Sequence, residues 1–270
     1  MLARFVTTLH SLSPMTRRMI WRMSYQMLNR TFLQQGWKFV NYGYADFDGG
    51  SSKIALQSED EPDRCFIQLY HRATDAVDLR GKDVLEIGSG RGGGADYFVR
   101  YRGPKSYLGV DRAPNAVAFC NRIYPHAGLS FAVGDAESLF CPSNSFEVVI
   151  NIESSHCYGS MERFSSEVYR VLKPGGYFVW ADFRSPSIIN ELRTMFSKAG
   201  FTLAEEKDIT SNVLKALDQV DDRKREAIEE HAPRILTRAL REFAAVRGTE
   251  MYKSFLSGRL SYYSCTLQKR

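Results

Sequence analysis

The chain has 270 residues, of which 44% are hydrophobic and 25% charged, with a formal net charge of +5. That length is ample for one large α/β domain with a lid, and Lys and Arg are scattered among Asp and Glu, which speaks against a nucleic-acid partner. Five cysteines, Cys65, Cys120, Cys141, Cys157 and Cys265, stand far apart without a CxxC pair and read as reduced thiols. The opening MLARFVTTLHSLSPMTRRM has no apolar run long enough for a signal peptide or a membrane span, so a cytoplasmic protein is expected.

Residues 11–35 carry Met15, Met19, Met23 and Met27 at helical spacing, with Arg17, Arg18, Arg22 and Arg30 on other turns. A basic amphipathic helix can lie on an anionic membrane surface, although such a stripe more often packs on its own domain, so at most peripheral membrane contact is expected. WKFVNYGYADFD follows, where Asn41-Tyr42-Gly43-Tyr44 reads as a turn covering a ligand or as a hydrophobic hinge. Tyr42, which can both pack and hydrogen-bond, is the candidate residue of that turn. A helix is predicted over 60–76, opening near Pro62; His71 within it is a reserve candidate only.

The sequence VLEIGSGRGGG at 84–94 reads as a buried parallel strand running into a glycine-rich turn before a helix. Gly88, Gly90 and Gly93 fit GxGxxG, the spacing of a turn that lets a nucleotide-type ligand approach the backbone. Three readings compete: a dinucleotide site, an S-adenosylmethionine (SAM) site, and an ordinary turn that binds nothing. Glu86 favours SAM, because a carboxylate facing the cleft would repel a pyrophosphate and attract the ammonium of a methionine moiety.

SYLGVD then supplies a second strand ending in Asp111, where an acidic side chain can accept from the ribose hydroxyls of NAD and of SAM alike. A helix over 114–124 leads to LSFAVGD, and Asp135-Ala136-Glu137 stands where an adenine would be met, or where Asp135 merely caps a turn. FEVVINIE ends in SSHCY, which places Glu153, Ser154, Ser155, His156 and Tyr158 at a strand's carboxyl end, the edge where open α/β sheets bind ligands. After the helix RFSSEVYRVL, Lys173-Pro174-Gly175-Gly176 is a turn and YFVWADFR a fifth strand. A helix over 186–199, a strand over 201–209 and a last strand over 260–268 complete the pattern of a parallel, doubly wound sheet. Between those two strands, residues 211–257 form a charged helical insertion, read as a lid.

Taken together, VLEIGSGRGGG, the Asp111 strand end, GDAESL and RVLKPGG resemble the class I SAM-dependent methyltransferases. FVNYGYADFD, SEDEPDRCFIQLYHR, NIESSHCY, ADFR and GRLSYYS narrow the similarity to the phthiotriol and phenolphthiotriol dimycocerosates methyltransferase subgroup and related natural-product O-methyltransferases. The resemblance implies a mostly parallel seven-stranded Rossmann-like sheet. It divides the chain into an N-terminal cap over 1–75, a core over 76–210, a lid over 211–258 and a last core strand over 259–270. It also implies that Glu86, Gly88, Ser89 and Gly90 line the methionine end of SAM, Asp111 and Arg112 the ribose and adenine edge, and Asp135, Ala136 and Glu137 the adenine. Asn151 and Tyr42 then close the pocket. Arg91 departs from the smaller or uncharged residue common in relatives, which leaves its role open.

Methyl transfer from a sulfonium is an in-line displacement that gains mainly from proximity and alignment, and no metal is assigned. A hydroxyl acceptor must also lose a proton. His156 is the candidate base, because it sits just beyond the fourth strand where the methyl group should point and a neutral imidazole near pH 7 can accept a proton; the alternative is a histidine that only shapes the pocket or packs beside the cofactor. The aromatics Tyr42, Tyr44, Phe47, Tyr158, Tyr252, Phe255, Tyr262 and Tyr263 suit a lipophilic acceptor under a lid. O-methylation of a small lipophilic hydroxyl or carboxyl compound is therefore expected, with nitrogen or carbon acceptors, an oxidoreductase and a noncatalytic SAM-binding module as rivals. A homodimer is left open.

Overall fold

The apolar runs of the sequence become the strands of one sheet because each can bury both of its faces. The computed structural model describes residues 37–47 and 54–270; the helix expected over 11–35 lies outside the described residues. Seven strands, β1 (Asp83–Ile87), β2 (Ser106–Asp111), β3 (Leu129–Val133), β4 (Phe146–Ile152), β5 (Leu172–Arg184), β6 (Phe201–Asp208) and β7 (Ser261–Lys269), lie in the order β3-β2-β1-β4-β5-β7-β6. The first five run parallel. β7 enters antiparallel between β5 and β6, so the sheet is mixed at one end where the sequence pattern alone predicted parallel strands throughout.

Helices cover both faces. Along β4, Val148, Ile150 and Ile152 turn to one layer and Val149 to the other, the period-2 alternation of a strand buried on both sides. The first layer holds α1 (Arg64–Ala73) and α2 (Gly93–Arg102) with α3 (Pro114–Ile123). The second holds α4 (Met161–Val171) and α5 (Ile189–Lys198). The turn expected at Lys173-Pro174-Gly175-Gly176 is absorbed into β5 as a register irregularity: Phe146 pairs with Leu172, yet Val148 pairs with Tyr177.

Four helices join β6 to β7: α6 (Thr210–Gln219), α7 (Asp221–His231), α8 (Thr237–Phe243) and α9 (Glu250–Leu256). They are not one separate lid, as the sequence suggested. Val213 and Leu217 of α6, and Met251 and Phe255 of α9, belong to the first core layer. Only α7 and α8 have a small core of their own, built on Ile228, Leu240 and Val246. The segment 37–47 crosses this region as a strap. Asn212 Nδ2 donates to the Ala45 carbonyl at 2.9 Å, Lys215 Nζ donates to the Asp46 carbonyl at 2.7 Å, and the Tyr42 hydroxyl donates to the Phe243 carbonyl at 3.2 Å. Among the described residues, no helix is long and apolar enough to cross a membrane.

Candidate active site

The carboxyl ends of β1 to β4 open into one cleft, with the strap on its far side. It encloses about 1120 Å³ of empty space, counting space open to solvent. The floor is the glycine turn after β1. Gly88 and Ser89 both donate their N–H to the Val110 carbonyl, at 2.7 and 3.2 Å, which pins the turn to the neighbouring strand. Gly88 and Gly90 hold positive φ, 79° and 53°. A Cβ on Gly90 would meet nothing within 4 Å, whereas one on Gly88 would lie 2.0 Å from Ser154 Oγ.

Asp111 closes the second side. Its Oδ2 accepts from Gly90 N–H at 2.9 Å and its Oδ1 from Ala113 N–H at 2.8 Å. Burial raises its pKa while the N–H groups of Ala113, Gly90 and Arg112 oppose the rise, and Asp111 and Arg112 both line the cleft. At the tip of β3, Asp135, Ala136 and Glu137 also line the cleft. Asp135 Oδ1 accepts from Glu137 N–H at 3.0 Å, so Asp135 caps its own turn while lining the cleft. Glu137 Oε1 accepts from Gly159 N–H at 2.7 Å, tying this tip to the loop after β4.

The strap brings Lys38 to Asn41 to the cleft. Asn41 is buried; its Nδ2 donates to the Phe66 carbonyl at 3.3 Å and its Oδ1 has no partner. Arg91 is buried too, its Nε donating to the Trp37 carbonyl and its guanidinium 4.3 Å from the Phe119 ring centroid. That stacking gives the unusual arginine a packing role, and burial lowers its pKa.

Four sequence candidates sit elsewhere than expected. Glu86 does not line the cleft. It projects into the first core layer because Leu85 and Ile87, its neighbours along β1, face the second. There it is fully buried, accepts from the Tyr107 hydroxyl at 3.0 Å, and burial pushes its pKa to about 7. Tyr42 is also outside the lining: its ring stacks on Phe183 at 5.6 Å and meets Phe255 edge-on at 5.6 Å. Asn151 lies beneath the floor, its Nδ2 2.8 Å from the Ile87 carbonyl and 2.9 Å from both Ser154 Oγ and the Tyr158 hydroxyl, so it braces the turn. Of the eight aromatics expected around an acceptor, only Tyr158 lines the cleft; Tyr42, Phe255 and Tyr262 are core. His71, the reserve candidate, is occupied by the Tyr97 hydroxyl at 2.6 Å.

His156 is the fourth. It stands behind the lining, Nδ1 2.9 Å from Asp182 Oδ1, with its ring 4.5 Å from that of Phe183. Burial alone would lower its pKa, but the Cys157 sulfur and the Asp182 carboxylate raise it to about 10. Burial likewise opposes ionisation of Asp182, yet Arg184 and His156 hold it well below the usual carboxylate range. The two side chains form a buried pair in which each favours the charged form of the other. The neighbour that does face the cleft is Glu153, which the sequence showed only as one member of a polar cluster. It is a buried non-glycine residue at φ 46°, and its Oε1 accepts from Tyr42 N–H at 2.8 Å.

A model of the methyltransferase domain family matches residues 85–180. The phthiotriol/phenolphthiotriol dimycocerosates methyltransferase of Mycobacterium leprae (strain TN) is 37% identical over 243 residues, 90% of this chain and 89% of that one. The chain belongs to the SAM-dependent methyltransferases. This methyltransferase is also 34% identical to the fatty-acid O-methyltransferase of Mycolicibacterium smegmatis (strain ATCC 700084 / mc(2)155), over 84% of the chain and 82% of the relative. Its fold is that of the geranyl diphosphate C-methyltransferase of Streptomyces coelicolor A3(2), solved with S-adenosyl-L-homocysteine, at a TM-score of 0.66 and 16% identity over 94% of the chain and 98% of that structure. SAM is the cofactor of the methyltransferase, and the cleft fits it. The carboxylates of Asp111 and Asp135 stand at adjacent strand tips, Gly90 leaves open space beside them, and the buried Ser89 Oγ and Asn41 Oδ1 await polar partners.

Proposed function

We propose that the methyltransferase moves the methyl group of SAM onto an oxygen of a lipophilic acceptor, a hydroxyl or a carboxyl. When bound, SAM supplies a methyl group made electrophilic by its sulfonium. The observation that carries the acceptor reading is the apolar part of the cleft lining, where Phe39, Val40, Ile152, Cys157 and Tyr158 occur with Glu153. Such a wall desolvates an apolar chain and offers one polar point at which its oxygen can be oriented. The names of the relatives, a dimycocerosate methyltransferase and a fatty-acid O-methyltransferase, agree with a long apolar acceptor.

The residues of the chain divide the work. Asp111 and Asp135 would accept from the hydroxyls and the amino group of the adenosine, Ala136 and Glu137 would border the adenine, and Arg112 would cover its edge. Gly88, Ser89 and Gly90 let the ligand lie against the turn, while Asn41 and Lys38 of the strap shield it from water. Holding donor and acceptor in line supplies much of the acceleration such a transfer needs.

The test is a panel of acceptors of equal chain length, a primary alcohol, a phenol, a fatty acid and an amine, incubated with SAM carrying a labelled methyl group. Label in an ether or an ester supports the reading. Label in the amine alone, or in none of the four, overturns it.

A further inference from the structure

A buried arginine is costly unless its charge and its N–H donors are met. Arg91 follows Gly90 in the turn after β1, lines the cleft and is only 3% exposed. Its Nε donates to the Trp37 carbonyl of the strap, and one face of the guanidinium rests on the Phe119 ring, 4.3 Å from the centroid. The terminal fork is unmet: Nη1 and Nη2 are both buried and neither has a partner. A planar fork of this kind matches a carboxylate through two parallel hydrogen bonds.

SAM carries one anionic group, the carboxylate of its methionine part. Among the described residues, the cations of the cleft lining are Lys38, Arg91 and Arg112. Arg112 is exposed, and Lys38 Nζ lies 3.8 Å from Asp60. Arg91 is the one that is desolvated and has no counter-ion. Its place also suits the donor. Phe119 belongs to α3, which follows the Asp111 strand end, and Gly90, the neighbour of Arg91, donates to Asp111. β4 flanks β1 on the side away from β2, so the guanidinium stands in the half of the cleft assigned to the cofactor.

The strap supplies the complementary gap. Asn41 lines the cleft and is buried. Its Nδ2 is held by the Phe66 carbonyl at 3.3 Å, while its Oδ1 is an acceptor without a donor. With Glu86 turned into the core, the ammonium of SAM needs an acceptor other than that carboxylate.

We propose that Arg91 and Asn41 hold the amino-acid end of SAM, the Arg91 fork on its carboxylate and Asn41 Oδ1 on its ammonium. The two ligand groups share one carbon, and the two protein groups are an unmet donor and an unmet acceptor brought to one cleft by the strap. This rests on SAM as the methyl donor and not on the nature of the acceptor.

The experiment titrates the full chain with SAM and with decarboxylated SAM, which keeps the sulfonium and the amine, and reads affinity by calorimetry. Wild type should bind SAM about 10- to 100-fold more tightly than the decarboxylated form. Arg91→Met keeps an apolar stem against Phe119; it should lose about that factor for SAM and less than about threefold for decarboxylated SAM. Arg91→Lys keeps the charge without the fork. It should lose about three- to tenfold for SAM alone, and it replaces Arg91→Met if the latter unfolds. Asn41→Ala should weaken both ligands alike, by about three- to tenfold, because both retain the amine. Equal loss of the two ligands in either Arg91 variant marks a packing role and overturns the assignment. So does SAM affinity at the wild-type level in Arg91→Met, or equal wild-type affinity for the two ligands. Asn41→Ala that binds both as wild type does, or that weakens SAM alone, overturns the Asn41 half. Unchanged SAM affinity in Arg91→Met together with a raised KM for a fatty acid gives the fork to an acid acceptor and overturns the proposal while SAM stands. Wild type that binds neither ligand overturns the cofactor assignment as well.

Discussion

Replacing Gly88 and Gly90 by alanine, one at a time, makes the same chemical change in two neighbours with opposite surroundings. Both residues hold positive φ, so each alanine costs about 1–2 kcal/mol for left-handed backbone. At Gly90 that is the whole cost to the fold, since nothing lies within 4 Å of the added methyl. At Gly88 the methyl would come 2.0 Å from Ser154 Oγ and 2.5 Å from Ser154 Cβ. Ser154 must then move, although it is tied to Asn151 and to the Tyr158 hydroxyl; such overpacking adds about 1–3 kcal/mol. The totals are about 2–5 kcal/mol for Gly88→Ala and about 1–2 kcal/mol for Gly90→Ala. At about 2–4 °C per kcal/mol, thermal unfolding should show Gly88→Ala melting roughly 4–20 °C below wild type and Gly90→Ala about 2–8 °C below. In SAM titrations the order should change: the Gly90 methyl projects into the cleft, so Gly90→Ala loses about tenfold or more in affinity despite its sound fold. Equal melting shifts for the two variants, or Gly88→Ala melting within about 2 °C of wild type, would refute this reading of the turn.

Lys224 is buried over the rings of Tyr42 and Phe66, 5.7 and 5.6 Å from their centroids, and burial pulls its pKa down to about 8 against the attraction of Glu153 and Asp221. A lysine depressed in the folded state destabilises it fully below about 8, and the penalty fades as pH rises toward the unfolded value of about 10.4. Melting curves of wild type and Lys224→Met should therefore move in favour of wild type between pH 7 and pH 10, by a difference on the order of 3 kcal/mol; a gap that does not change with pH contradicts the placement of this amine. Cys120, Cys141 and Cys265 are buried, while Cys65 and Cys157 are half-buried, and Cys157 lines the cleft. A thiol reagent should label Cys65 and Cys157 in the native protein, and SAM should slow only Cys157; SAM-independent labelling in wild type, with Cys157→Ser as the control, would remove Cys157 from the cleft wall.

What the sequence made legible is what periodicity and turn chemistry encode. The mostly apolar VLEI and FEVVINI runs, the glycines after β1 and the acidic strand ends at Asp111 and Asp135 depend on local rules, and the cleft holds those acidic ends where open α/β sheets place ligands. Orientation about the strand axis was harder to read. Glu86 looked like a cleft residue because it lies close in sequence to the glycine turn, yet its place in the alternation of β1 sends it into the core layer with Tyr107. Long-range partners were illegible for a different reason. Asp182 lies 26 residues from His156, and only the adjacency of β4 and β5 brings them together. Tyr42 was read as closing the pocket over the cofactor, but its ring packs on Phe183 and Phe255 and its backbone N–H goes to Glu153, which no side-chain reasoning would find. Glu153 itself left a faint signal: an acidic residue directly after an apolar strand, at the edge where ligands bind.

Calorimetric titration of the pure chain with SAM, in wild type and Asp111→Asn, bears on all of this. Asparagine retains one acceptor for the Gly90 and Ala113 N–H groups, but it loses the charge that would hold the ribose hydroxyls, a change of about 1.5–3 kcal/mol. The wild type should bind one SAM per chain, and Asp111→Asn should bind it about 10- to 100-fold more weakly. An absence of binding heat across several temperatures in wild type, or equal affinity in the two proteins, would contradict the assignment of this cleft to the methyl donor.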